Sequence, residues 1–334
     1  MQVVNRDIFP TDATMARFAR VSALLKNEQI DSAFNRHEEE AVRGKRAFHS
    51  LGRASILLIA VSTIYSVAEA LVMQQFSGQL YVSVLMALAA AVGIGLQVFL
   101  LASRARSRWL LNRFACERLR SMKFQAYAHA ATAPSEEALA SEVERWSAAG
   151  ISQLDNELNA GMAALATFVP AKALCAPEGP KRPVNAELAS EAMAAFRELR
   201  ITYQERFAAS ELHRLGENQR VLNSSADILY LAGAGFVLLS LIAKVSEIAG
   251  VGPWADFLAV ATFVAGISKT VIDNASLGEV STNRFGAYRQ DILDVAHDAD
   301  GGAPLARVVA RMELLALQEL DDFATASKSV SYRL

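Results

Sequence analysis

Side chains able to do chemistry are few in this 334-residue chain, and their spacing suits none of the common reactions. The five histidines, His37, His49, His129, His213 and His297, are scattered. No two stand at i, i+4, the spacing that lets one helix face hold a metal. The two cysteines, Cys116 and Cys175, cannot by themselves build a zinc site or a disulfide framework. Cys116 lies among arginines, which would lower its pKa if they face it. Its plainer reading is a small residue on a helix face. No G-x-S-x-G elbow occurs. Gly233-Ala234-Gly235 lies inside an apolar run and lacks a third glycine, so it reads as close helix packing, not a nucleotide loop. No catalytic residue, metal site or cofactor is therefore expected, and an enzyme is the least expected class. A net charge of −2 and the absence of an aromatic–basic pattern argue against nucleic acid as a partner.

The more telling polar residues stand inside apolar runs. Ser55, Ser62, Ser66 and Glu69 step by 7, 4 and 3, which places them on one helix face. Two readings compete. Copies of the chain could assemble so that this face lines an aqueous path, with Glu69 as an acidic ring near its outer mouth. Alternatively, the serines bond back to their own helix and Glu69 sits at an interface. Ala87, Ala91 and Gly95 step by four, a small-residue face suited to tight helix packing. Lys244, Glu247 and Asp256 gather around a later turn, either as a charge cluster ending two short helices or as a gating element. Trp109, Arg113 and Glu117 recur at i, i+4 and i+8, with Arg120 following. Arg113 and Glu117 can pair along the helix, and Trp109 suits a membrane interface. The arginines there could hold anionic lipid headgroups.

The elements that position these residues follow from hydropathy. Apolar residues make up 52% of the chain and charged ones only 20%. Ala54–Met73 and Leu80–Ala102 each approach the roughly 20 residues of a spanning helix. A second pair is predicted at about 227–249 and 254–272. Its uncharged cores, Ile228–Ala243 and Phe257–Ser268, reach only about 24 and 18 Å. Lysine snorkelling or local bilayer thinning would be needed to fit the ~30 Å hydrocarbon core. The other reading is a helical pair buried in protein. Basic residues flank both pairs: Arg53 precedes the first and Arg104, Arg106 and Arg108 follow it. The positive-inside rule then puts both flanks, and both termini, in the cytoplasm. The polar, charged first 50 residues predict no cleavable signal peptide.

The expected fold is an all-α membrane protein, two transmembrane helical hairpins with a helical cytoplasmic body. The first unit covers 11–130, with its hairpin at 54–102 and a single approach helix over about 11–52. The second span is expected to continue without a break into the exit helix. A helical connector with a proline-rich linker covers 131–184. The second hairpin unit covers 185–298, and an amphipathic helix covers 303–328, after Gly301–Gly302.

A charged approach, a membrane hairpin and the W-x-x-x-R-x-x-x-E-x-L-R pattern over Trp109–Arg120 together resemble the SLATT proteins. These are bacterial two-helix membrane effectors found beside nucleotide-second-messenger defence systems. The resemblance covers about residues 12–130, and about 200–298 looks like a diverged copy without the Trp/Arg/Glu exit. It implies an inner-membrane effector that lies dormant, then oligomerises and permeabilises the membrane when triggered. It also implies a homo-oligomer in the lipid bilayer, triggered by a separate sensor protein or a nucleotide second messenger. A constitutive ion channel or transporter, or a membrane-anchored scaffold, would show many of the same sequence features.

Overall fold

A computed structural model describes residues 5–72, 79–103, 105–163, 183–246, 250–274 and 278–329. Among these residues every regular element is a helix. The chain runs through α1 (Asp12–Arg17), α2 (Ser22–Leu25), α3 (Glu28–Leu71), α4 (Gln79–Ala102) and α5 (Ala105–Gln125). A 3₁₀ segment, Ala126–Ala131, leads to α6 (Glu136–Ala163). The chain continues with α7 (Ala186–Phe196), a π-helical stretch (Arg197–Thr202) and α8 (Tyr203–Val245). It closes with α9 (Val251–Asn274), α10 (Gly278–Asp300) and α11 (Leu305–Ser329).

Four of these helices are long and apolar enough to cross a membrane: α3, α4, the Asp227–Val245 part of α8, and α9 up to Asp273. Their outward residues are apolar, as lipid-facing residues would be. Leu80, Leu231 and Val245 are each more than 70% exposed.

Local chemistry explains the starts and stops. The Asn27 side chain accepts from the Ile30 N–H and starts α3. Ser135 accepts from Ala138 ahead of α6, and Asn185 accepts from Leu188 at α7. Gly302, at φ +78°, separates α10 from α11, a backbone position that side chains resist.

Two expectations fail. The approach is not one helix, because short helical turns and the Asn27 cap intervene before α3 begins. Phe18, Val21, Leu24 and Leu25 are nevertheless all buried, so their apolar spacing reported burial and not one continuous helix. On the exit side, α4 stops at Ala102 and a new helix begins at Ala105. The lipid-length apolar run ends there, and packing around Trp109, Leu111 and Phe114 sets the next helix. Continuity holds where the chain enters each apolar stretch: α3 runs for 44 residues and α8 for 43.

The chain divides into two compact units. One comprises residues 1–43, 107–213 and 282–325. Its core joins Phe34, Leu119, Phe124, Tyr127, Phe196 and Val309. The other comprises 44–106, 214–281 and 326–334, and holds the apolar helix pairs. Of the proline-rich linker expected over 168–184, residues 168–182, with Pro170, Pro177 and Pro180, lie outside the described residues, and Pro183 falls within them.

Candidate functional site

In the first apolar pair, a ladder of polar bonds joins α3 to α4. Ser55 Oγ donates to the Gly93 carbonyl (2.8 Å). Ser62 Oγ reaches both Leu58 O (2.7 Å) and Met86 O (2.9 Å). Ser83 Oγ donates to Glu69 Oε1 (2.6 Å). The three rungs fall seven residues apart on α3, while their partners run backwards along α4, so the helices are antiparallel. A seam of this kind satisfies polar groups that lipid could not.

Within one chain, the polar face forms the seam between α3 and α4, a role that neither reading of the sequence gave it. Ser55 and Ser62 are 0% and 4% exposed, and both face the neighbouring helix of the same chain, not an open path. Ser66 is exposed and bonds back to Ser62 O. Glu69 is half-buried and held by Ser83.

The small-residue stripe is not the seam between α3 and α4. Ala87, Ala91 and Gly95 are exposed, and open space surrounds Gly95. The close approach is at Gly93. A Cβ there would stand 2.9 Å from Ile59 Cγ1 and 3.1 Å from the Ser55 carbonyl. Gly95 is two positions away, on the opposite side of the helix from this contact.

The second apolar pair is built similarly. A Cβ on Gly233 would meet Thr262 Oγ1 at 2.9 Å, and one on Gly266 would meet the Tyr230 ring at 3.0 Å. Gly233 thus packs closely as read, whereas Gly235 faces open space. Tyr230 and Thr270 hydroxyls lie 3.1 Å apart. Asp256 collects Ser240 Oγ (2.5 Å) and Lys244 Nζ (2.9 Å). Lys244 therefore pairs across the helices, and Glu247 lies outside the described residues.

In the first unit, the Trp109–Arg120 motif sits in a buried charge lattice. Trp109 is 5% exposed and meets Phe323 of α11 edge to face, so it is a core residue and not an interfacial one. Arg113 pairs with Glu117 (2.6 Å) and approaches Glu38 (3.7 Å). Arg120 holds Glu117 (2.6 Å), Asp7 (2.9 Å) and the Asn5 amide oxygen (2.6 Å). Burial pushes the Glu117 carboxyl up, but Arg113 and Arg120 outweigh it and hold it at about 2. Burial disfavours the Arg120 cation, yet Asp7 and Glu117 raise its pKa overall.

Further pairs surround these. Lys123 Nζ reaches Asp31 and the Ile8 carbonyl, both at 2.7 Å. Arg200, carried on the π-helical stretch, grips Glu313 through Nε (2.7 Å) and Nη2 (3.0 Å). Arg284 and Glu319 lie 3.1 Å apart. Burial raises Glu319 to about 7, against the pull of Arg284.

Sequence reasoning missed Asp7, Asp31, Arg200, Glu313 and Glu319. Their partners lie far along the chain, up to 113 residues away for Arg200 and Glu313. A charged residue in an amphipathic helix gives no sign of such a partner.

No family model, curated protein or solved structure matches this chain.

The Cys116 thiol is fully buried, with Sγ 4.0 Å from the Phe34 carbonyl. Burial raises its pKa, with Glu38 adding to the rise, and together they outweigh the lowering by Arg113 and Arg120. Among the described residues, no group of three or more His, Cys, Asp or Glu is placed to hold a metal ion.

Proposed function

We propose that this chain is a membrane effector of a bacterial anti-phage or conflict system. It lies dormant in the inner membrane, with both hairpins spanning and the helical body and termini in the cytoplasm. When triggered, it oligomerises and permeabilises the bilayer. The polar ladder of the first helix pair carries this reading. A helix that must rest in lipid and later admit water needs polar groups that are sheltered first and presented afterwards. Ser55, Ser62, Glu69 and Ser83 are sheltered within the pair, and the conducting state would re-pair them between copies or with water. The resemblance of residues 12–130 to the SLATT proteins supports the same reading, with the trigger supplied by a separate sensor or a nucleotide second messenger.

The test is to hold the pair shut. Glu69→Cys and Ser83→Cys, in a Cys175→Ser background, are bridged with a short bifunctional thiosulfonate. Membrane potential is then followed with a voltage-sensitive dye, in bacteria carrying the chain and its neighbouring genes during phage challenge. The unbridged protein should depolarise the cells before lysis. The bridged protein should do so at least about tenfold more slowly, matching a loss of roughly 1.4 kcal/mol in access to the open state, and reductant should restore the rate. Equal rates would remove ladder opening from the mechanism. No depolarisation in any form, with the protein in the membrane, would favour a scaffold.

A further inference from the structure

We propose that the cytoplasmic end of the first helix pair is a docking collar for anionic phospholipid headgroups. The proposal rests on the membrane placement given above. Charge is sharply divided within the unit that holds the apolar helices. Its first segment, 44–106, carries Lys45, Arg46, Arg53, Arg104 and Arg106 against one acid, Glu69. Its second segment, 214–281, carries Arg214, Arg220, Lys244 and Lys269. Six acids oppose them there: Glu217, Asp227, Glu247, Asp256, Asp273 and Glu279. Basic residues flank both pairs, but only the first segment carries them in net excess over acids.

Geometry focuses that excess. At ~100° per residue, Lys45, Arg46 and Arg53 share a sector of about 100° on α3. All three are exposed; Lys45 and Arg46 lie about two turns before the apolar stretch that begins at Ala54, and Arg53 immediately precedes it. His49 lies in the middle of the sector. Its pKa falls to about 4, through burial first and then the positive fields of Lys45 and Arg53. An anionic leaflet is the complementary surface that lies at this depth.

Each basic residue at such a surface is worth about a fivefold gain in partitioning, so the three together should contribute on the order of 100-fold. The experiment uses the full-length protein, delipidated in detergent and titrated with phosphatidylglycerol or phosphatidylcholine. Bound lipid is read by native mass spectrometry. Wild type should retain phosphatidylglycerol preferentially. Lys45→Gln/Arg46→Gln/Arg53→Gln should lose that preference by on the order of 100-fold, while Arg214→Gln/Arg220→Gln keeps it. Circular dichroism checks that both variants fold. Equal retention by the triple variant, or displacement by inorganic phosphate, would overturn the collar. A separate arm tests the placement: Ser50→Cys in the Cys175→Ser background should resist impermeant maleimide in intact cells and label after permeabilisation. Labelling in intact cells would overturn the topology whatever the lipid result.

Discussion

Arg200→Leu should cost the body about 3–5 kcal/mol of unfolding free energy, measured by denaturant unfolding with tryptophan fluorescence. The guanidinium is 2% exposed, and so is its partner Glu313. Removing the arginine leaves a carboxylate with no route to water, which is the expensive outcome. Glu313→Leu alone should cost a similar amount, leaving the cation stranded over the Phe124 ring, 4.9 Å from its centroid. The double variant Arg200→Leu/Glu313→Leu should recover most of the loss, because apolar side chains of similar size avoid desolvating either charge. If the single variants cost less than about 1 kcal/mol, the pair is not buried in solution. Non-recovery in the double variant would assign the loss to packing against Phe124.

Stability of the same unit should peak near pH 5 and fall on both sides. Glu117 sets the acid limb. Its folded pKa is about 2 against an ordinary 4.5, so its contribution is present above 4.5 and is lost as pH falls through about 2. Glu319 sets the other limb. Its folded pKa is raised to about 7, so its contribution is full below 4.5 and is lost as pH rises through about 7. Each limb is worth on the order of 3 kcal/mol, at 1.36 kcal/mol per pKa unit. The charges acting on Glu319 are Arg284, Glu117, Asp322 and Arg113. Glu319→Gln should flatten the limb between pH 5 and 8 and leave the acid limb in place. A slope unchanged by that substitution would assign the neutral limb to other groups.

Much of this architecture was legible from residue type and period. The four apolar stretches announced themselves because lipid-length helices need long runs with few charges, and such runs have few other uses. The shared face of Ser55, Ser62 and Glu69 was also visible, since spacing on one helix fixes direction. What lay opposite that face was not visible. Gly93 and Gly95 look alike in the sequence, and only the register of α3 against α4 distinguishes them. Trp109 was misplaced for a related reason. A tryptophan after an apolar run suits an interface equally well, until Phe323, more than 200 residues later, covers it. The charge lattice was the least legible part. Pairs such as Arg120 with Asp7 need the whole chain folded before either partner has a reason to be buried.

The burial of Cys116 gives the molecule a built-in clock. The thiolate is the reactive form, and packing against Phe34 withholds both the proton's departure and the reagent's approach. A maleimide added to the folded Cys175→Ser protein should therefore react only during excursions in which α3 and α5 part. When reclosing outruns labelling, the observed rate divided by that of an unstructured thiol is the fraction of time spent open. A trigger that loosens the body would then register as faster labelling, before and apart from any current across the membrane.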